Sequence, residues 1–264
     1  MGNSGVFYYF CAVKCRFVIL ILALMVCSCS NAQVKEYRVK VLEEYPHDTK
    51  AYTQGLFFHG GVLYETTGQY GESSIRTVDL TTGQPATIKK LSSKYFAEGS
   101  TIFDDKLYVL TWTSKVAFVY DASTLQYKSS IGYPREGWGL TTDGKQLIAS
   151  DGSASLYFLD RNLKVQRRFT VKLKDRPVLY LNELEWIDGK IWANVYTTDT
   201  IVIINPENGA VEATIDCRGL LPDNLRTKDT DVLNGIAADA DGNIYITGKN
   251  WPKLYRISIE KKKK

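Results

Sequence analysis

From residue 55 onward, short apolar runs alternate with turn-forming pairs, and the same order of runs returns five times. Segments opening at Gly55, Gly99, Gly139, Glu183 and Gly235 align on one another. Each starts a short strand, turns, and then shows an apolar pair: Leu63-Tyr64, Leu107-Tyr108, Leu147-Ile148, Ile191-Trp192 and Ile244-Tyr245. The turns are Gly60-Gly61, Asp104-Asp105, Asp143-Gly144, Asp188-Gly189 and Asp241-Gly242, mostly pairs that tolerate the positive φ of tight hairpins. A third strand follows in every copy: Ile75 to Leu80, Ala117 to Asp121, Ser155 to Asp160, Ile201 to Asn205 and Leu254 to Ile259. In the first four copies it ends at Asp79, Asp121, Asp160 or Asn205, residues whose side chains bond back to turn backbone. A more polar fourth strand comes next, over Ala86 to Leu91, Tyr127 to Ile131, Val165 to Thr170 and Ala210 to Ile215.

The last copy runs out of chain before its fourth strand, while Glu36 to Leu42 is an alternating strand with no unit of its own. A period of about 40 to 50 residues belongs to propeller blades, and lending the first strand to the last blade closes the circle without a free edge. The pattern therefore predicts an all-β fold, a five-bladed β-propeller of four-stranded antiparallel blades whose last blade is closed by the N-terminal strand. No stretch outside the N-terminal leader sustains apolar residues at helical spacing. The longest insert, Arg218 to Asp231, is expected to hold a short helical turn and to form a lid beside the last blade.

The leader, residues 1–32, reads as a signal peptide. Lys14 and Arg16 precede the apolar run Phe17 to Val26, which is shorter than the roughly 20 residues of a transmembrane helix. Val26-Cys27-Ser28 ahead of Cys29 has the form of a lipobox, with Cys29 lipidated in an exported, periplasmic or outer-membrane-associated lipoprotein. Cleavage after Ala32, giving a secreted protein, is the alternative. Residues 33–264 then form a single domain, expected to be monomeric. Of the 5 cysteines only Cys217 lies in it, so the fold rests on its core and not on a disulfide, with Cys217 a small buried hydrophobe.

Charge removes one class of partner. The formal net charge of +4 includes two leader cations and the terminal run Lys261 to Lys264; what remains is near neutral and carries no basic stripe interleaved with aromatics, which argues against a nucleic-acid surface. Membrane contact is expected only through the lipid.

Immediately before each repeat start stand Gln54, Glu98, Trp138, Asn182 and Asn234. First strands of blades line the central channel, so these positions form a ring at one mouth. A packing ring would repeat one residue type; this one differs in every copy but one pair, as a ligand with asymmetric demands requires. The bland alternative is that they hydrogen-bond inner-strand backbone and channel water. Loop aromatics Tyr52, Phe96, Trp112, Tyr196 and Trp251 add apolar walls around a few polar groups. The 2 histidines, His47 and His59, have no ligand-spaced partner, there is no Gly-x-Ser-x-Gly elbow, and Gly139 to Lys145 only imitates a phosphate loop.

The segments Pro46-His47-Asp48, Tyr52-Thr53-Gln54-Gly55-Leu56, Tyr64-Glu65-Thr66-Thr67-Gly68, Phe96-Ala97-Glu98-Gly99, Leu110-Thr111-Trp112, Glu136-Gly137-Trp138-Gly139-Leu140, Leu181-Asn182-Glu183-Leu184-Glu185 and Gly248-Lys249-Asn250-Trp251-Pro252-Lys253 resemble, in order, the plant and bacterial glutaminyl-peptide cyclotransferases. That resemblance implies a five-bladed propeller enzyme, an acyltransferase that converts the N-terminal glutamine of peptides or proteins to pyroglutamate with release of ammonia. It implies a catalytic set of Glu98, Asn182, Trp112, Gln54 and Lys249 and substrate-binding walls Tyr52, Phe96, Trp138 and Tyr196. Tyr196 stands where the family usually has tryptophan, and Tyr52 where phenylalanine is common. Glu98 would be general acid and base; Gln54, Asn182, the Trp112 indole and Lys249 would be oxyanion donors. No cofactor is expected for catalysis, and a structural calcium in the central channel, on backbone carbonyls, is implied. A non-catalytic peptide- or protein-binding propeller and a metal-dependent propeller hydrolase stay open beside this reading.

Overall fold

The structure is a computed structural model in which residues 33–262 are described; the expected signal peptide, Cys29 and the last two lysines lie outside them. The chain is all-β. A long first strand, β1 (Lys35–Pro46), precedes a four-stranded antiparallel sheet of β2 (Thr53–His59), β3 (Val62–Thr67), β4 (Ser74–Val78) and β5 (Pro85–Lys90). A second comprises β6 (Ala97–Phe103), β7 (Lys106–Thr111), β8 (Val116–Asp121) and β9 (Tyr127–Gly132). A third comprises β10 (Leu140–Thr142), β11 (Leu147–Ser150), β12 (Ser155–Leu159) and β13 (Val165–Thr170). The two-residue strands β14 (Lys172–Leu173) and β15 (Arg176–Pro177) make a small hairpin with no counterpart in the repeat pattern. Then come β16 (Leu181–Ile187), β17 (Lys190–Val195), β18 (Thr200–Ile204), β19 (Val211–Asp216), β20 (Leu233–Ala238), β21 (Ile244–Gly248) and β22 (Lys253–Lys261).

These last seven strands share one 8-stranded sheet with β1, in the order β16-β17-β18-β19-β1-β22-β21-β20. As the alternating N-terminal strand required, β1 pairs antiparallel with β22, from Tyr37 opposite Lys261 to Pro46 opposite Lys253. It also runs parallel to β19, Lys35 to Arg38 against Ala213 to Asp216, a contact the repeat pattern did not contain. The first strands pack in a closed circle: β2 on β6, β6 on β10, β10 on β16, β16 on β20 and β20 back on β2. Each neighbouring pair of sheets encloses its own apolar cluster, such as Tyr108, Leu110 and Leu147 in one and Ile148, Leu184 and Ile191 in the next.

Burial follows this layout. The first strands β2, β6, β16 and β20 are buried almost throughout, whereas β5, β9 and β13 are mostly exposed. The apolar opening and polar close of each repeat are the record of that gradient. The hairpins adopt positive φ at both residues of Gly60-Gly61, Asp104-Asp105 and Asp188-Gly189, as type I′ turns need. Asp79, Asp121, Asp160 and Asn205 accept backbone N–H groups of their turns from Thr82, Ser123, Asn162 and Glu207. The insert holds a single 3-10 turn, Asp223–Leu225, and Cys217 is buried in the core.

Where β1 ends, a buried ion network fastens it. His47 Nε2 lies 3.0 Å from Glu65, Arg76 Nε donates to Glu65 at 2.9 Å, and a second Arg76 nitrogen reaches Asp48 at 2.9 Å. His47 Nδ1 also meets the Trp251 carbonyl at 2.8 Å. Burial alone would raise the Glu65 carboxyl, but His47 and Arg76 hold it down at about 2.

Candidate active site

At the start of each first strand but one, the pairing register slips: between Thr53 and Gly55, Ala97 and Ser100, Leu181 and Leu184, and Leu233 and Ile236. Gln54, Glu98, Asn182 and Asn234 fall inside these four irregularities. An extra residue in a strand breaks the alternation and re-aims its side chain, which is how otherwise buried strands present polar groups at one mouth of the circle. Trp138 stands just before the short strand β10.

Nine side chains meet there around a cavity of about 190 Å³: Tyr52, Gln54, Phe96, Glu98, Trp112, Trp138, Asn182, Tyr196 and Lys249. Contacts around its wall form a complete loop. Tyr52 packs edge-on against Phe96 at 6.1 Å and Phe96 against Trp112 at 5.6 Å. The indole N–H groups of Trp112 and Trp138 both donate to Glu136 Oε2, at 2.9 and 3.1 Å. Trp138 meets Tyr196 at 5.5 Å with planes 87° apart, and Lys249 Nζ lies 5.0 Å from the Tyr196 ring and 4.7 Å from that of Tyr52. Two glycines make room behind this wall. A Cβ on Gly68 would strike the Phe96 ring, and one on Gly152, whose φ is +77°, would meet the Trp138 indole at 2.5 Å.

Glu98, Gln54 and Asn182 are buried. Desolvation raises the Glu98 carboxyl well above the usual carboxylate range; Lys249 opposes this and the Glu136 charge adds to it. Burial lowers Lys249, against Glu98 and Asp231. For both partners desolvation outweighs their mutual attraction, so each is pushed toward its neutral form. Among the described residues the Glu98 carboxyl accepts no hydrogen bond, so its oxygens are available to a ligand. Gln54 Oε1 receives Asn234 Nδ2 at 3.3 Å, fixing which end of its amide is a donor. Asn182 Oδ1 is buried without a partner.

Three expectations change. The single N–H of Trp112, expected as an oxyanion donor, donates in this structure to Glu136 at 2.9 Å, while the ring forms part of the cavity wall. Asn234 does not line the cavity: its amide donates to the Thr53 carbonyl at 2.9 Å, the bland alternative realised at that ring position. Trp251, expected in the wall, is 1% exposed, donates to the Asp231 carbonyl and packs on Tyr255 in the core. Glu136 and Asp231, which accepts the Tyr52 hydroxyl at 2.9 Å, were not assigned from sequence. Glu136 lay inside a quoted motif, two residues from Trp138; Asp231 carried no signal.

Deeper in the circle, Glu183 accepts N–H groups of Leu56 and Ile236, and Glu185 accepts those of Ala238 and the Thr141 hydroxyl. One strand's carboxyls thereby stitch together three other first strands, β2, β10 and β20. Burial raises Glu183 well above its ordinary value and Glu185 to about 8. A calcium ion takes six to eight oxygen ligands, which the implied site would draw from backbone carbonyls of the channel. The inner carbonyls of Thr53, Trp138 and Asn182 each accept a hydrogen from Asn234, Gly99 or Ser150, and no group of three or more His, Cys, Asp or Glu suited to a metal occurs among the described residues. No chemical step is derived through a metal.

The family model for glutamine cyclotransferase matches residues 16–259. The chain belongs to that family. It is 43% identical over 230 residues to a glutaminyl-peptide cyclotransferase of Arabidopsis thaliana, covering 84% of this chain and 71% of that protein. The crystal structure of Myxococcus xanthus glutaminyl cyclase superposes with a TM-score of 0.82 at 33% identity, over 88% of this chain and all of that one. A streptogramin B lyase structure, at 10% identity and a TM-score of 0.50 over 85% of this chain, shares the fold alone.

Proposed function

We propose that Glu98 is the proton shuttle of glutaminyl-peptide cyclotransfer, the activity this chain has by family and by its relatives: N-terminal glutamine of a peptide or protein becomes pyroglutamate and ammonia leaves. The carrying observation is Glu98 itself, an acid with no protein partner and a raised pKa inside an aromatic cavity. The neutral α-amine of the substrate attacks the γ-carbon of its own side-chain amide, forming a C–N bond. Glu98, ionised, takes a proton from that nitrogen and returns it to the departing amide nitrogen; the C–N bond to it breaks as ammonia leaves. One carboxyl with its pKa raised above the ordinary carboxylate range serves both transfers.

The negative charge that develops on the γ-oxygen needs donors. Gln54 Nε2, Asn182 Nδ2 and the Lys249 ammonium are the groups in the cavity able to provide them, now that the Trp112 N–H is taken. Ring closure demands that the side chain fold back over its own amine. Aromatic walls at right angles to one another favour that compact form over the extended one.

The closed circle of first strands supports a five-bladed propeller, the 8-stranded sheet being two blades joined through β1. The lipobox before Cys29 supports an exported lipoprotein, acting as a monomer on peptides outside the cytoplasm. Among the described residues no helix is long and apolar enough to cross a membrane.

The test is ammonia and pyroglutamate release from a glutaminyl peptide in the presence of a strong chelator. Activity that survives chelation and is lost in Glu98→Gln rejects both a peptide-binding propeller and a metal-dependent hydrolase. No release by the wild type, with or without chelator, sinks the catalytic reading.

A further inference from the structure

Beside the aromatic cavity lies a second one, of about 280 Å³, that the chemistry above leaves unused. Thr197, Thr198 and Asp199, from the loop after β17, wall one part of it, and Arg226, Thr230 and Asp231, from the insert before β20, wall another. Two links set it beside the first. Tyr196, a wall of the aromatic cavity, is followed directly by Thr197. The Tyr52 hydroxyl, from the same wall, donates to Asp231 at 2.9 Å.

Size assigns the two spaces different tasks. At about 190 Å³ the aromatic cavity is smaller than the roughly 300–1,000 Å³ that encloses a drug-sized ligand. It takes the single residue that reacts, and the rest of a peptide substrate must lie outside it. Chemistry fits the second cavity to that remainder. Its walls are mostly hydroxyls and charges, with Val232 and Leu233 at one side, suited to the N–H and C=O groups of a peptide main chain. The Thr197 hydroxyl makes no hydrogen bond among the described residues and is exposed. Its backbone supplies a separate observation: φ is +65°, a left-handed conformation that a β-branched residue rarely adopts, and strain of this kind gathers at ligand-binding segments.

Resting on the cyclotransferase reading, we propose that this groove is the subsite for the residues that follow the N-terminal glutamine, binding their main chain and disfavouring an acidic side chain. The charge preference follows from Asp199 and Asp231 standing against Arg226, which already lies 3.6 Å from Asp223.

The experiment compares kcat/KM for glutamine amide, a glutaminyl-dialanine amide, and glutaminyl-lysine and glutaminyl-glutamate peptides. The wild type is expected to gain roughly tenfold from glutamine amide to the dialanine peptide, the worth of about two net main-chain hydrogen bonds. Thr197→Trp fills the groove and should abolish that gain, with glutamine amide kept within about twofold. Asp199→Asn, nearly isosteric, should narrow the lysine-over-glutamate preference several-fold. A wild type indifferent to length, or variants that lower every substrate alike, would overturn the subsite. If Thr197→Trp does not fold, an unchanged lysine-to-glutamate ratio in Asp199→Asn overturns it instead. A wild type inactive on all four substrates brings down the catalytic reading, which is a different result from full activity without length dependence.

Discussion

Trp112 and Trp138 stand on loops of different sheets, yet their indoles donate to the same oxygen, Glu136 Oε2, at 2.9 and 3.1 Å. One atom therefore sets the separation of two walls, and its charge adds to the forces that keep Glu98 protonated. The two roles separate by substitution. Glu136→Ala frees both indoles and is expected to raise KM several-fold. Glu136→Gln keeps an acceptor oxygen, so KM should stay near wild type. Loss of the negative charge favours ionised Glu98 and lowers its pKa, so the acidic limb of kcat/KM against pH moves to lower pH. A Glu136→Gln limb that stays in place removes Glu136 from the tuning of Glu98.

Glu98→Gln should lower kcat by about 10²- to 10⁴-fold, the range for loss of a positioned acid–base group. It should not lower stability. The carboxyl is buried without a hydrogen bond and held in its neutral form, so a neutral amide of nearly the same shape breaks no bond on replacing it. Ammonia release and a thermal melt on one preparation check both halves; a melt several degrees below wild type would mean that the lost activity reflects damage to the fold.

The repeat was legible because its turns and its burial gradient are written in residue type: glycine and aspartate at the hairpins, polar residues on β5, β9 and β13. The candidate site was legible because the repeat breaks its own rule at Gln54, Glu98, Trp138 and Asn182, and because the motifs around them resemble a known family. What stayed hidden depends on contacts between elements distant in sequence. The parallel pairing of β1 with β19 leaves no periodic trace. Trp251 reads as a loop aromatic, and only packing against Tyr255 shows it to be core. Nothing in Trp112 reveals that its N–H is engaged by Glu136, because that bond depends on how two loops meet. His47, which no sequence spacing pairs with a ligand, meets Glu65 on β3, in the sheet beside β1, at 3.0 Å.

Stability should fall as pH rises from about 5 toward 8. Glu98, Glu183 and Glu185 have folded pKa values raised above the ordinary 4.5, Glu185 to about 8. A carboxyl of that kind contributes its full stability below the unfolded pKa and loses it as pH rises through the folded one. The slope is about 1.4 kcal/mol per pH unit for each group in its window. The melting temperature is therefore expected to drop between about pH 5, just above the unfolded value, and about pH 8, the folded value of Glu185, and Glu185→Gln to flatten that drop. A melting temperature constant across the range contradicts the protonated state assigned to the channel acids.

Glu65 acts with the opposite sign, and its loss should be the costliest single change outside the apolar core. Its folded pKa is depressed to about 2, so its contribution is present above the unfolded value and disappears as pH falls toward 2. Glu65→Ala removes the buried anion between His47 and Arg76, leaving Arg76 only the partly exposed Asp48, for which about 3–5 kcal/mol is the expected cost. Replacing both members of the main pair, Glu65→Leu with Arg76→Met, leaves no uncompensated charge on Arg76 and should cost less than Glu65→Ala alone. Denaturant unfolding of the three proteins distinguishes an ion network that stabilises outright from one that is harmful only when broken. If the double variant is the least stable, the network is a net source of stability, and the closure of β1 beside His47 depends on it.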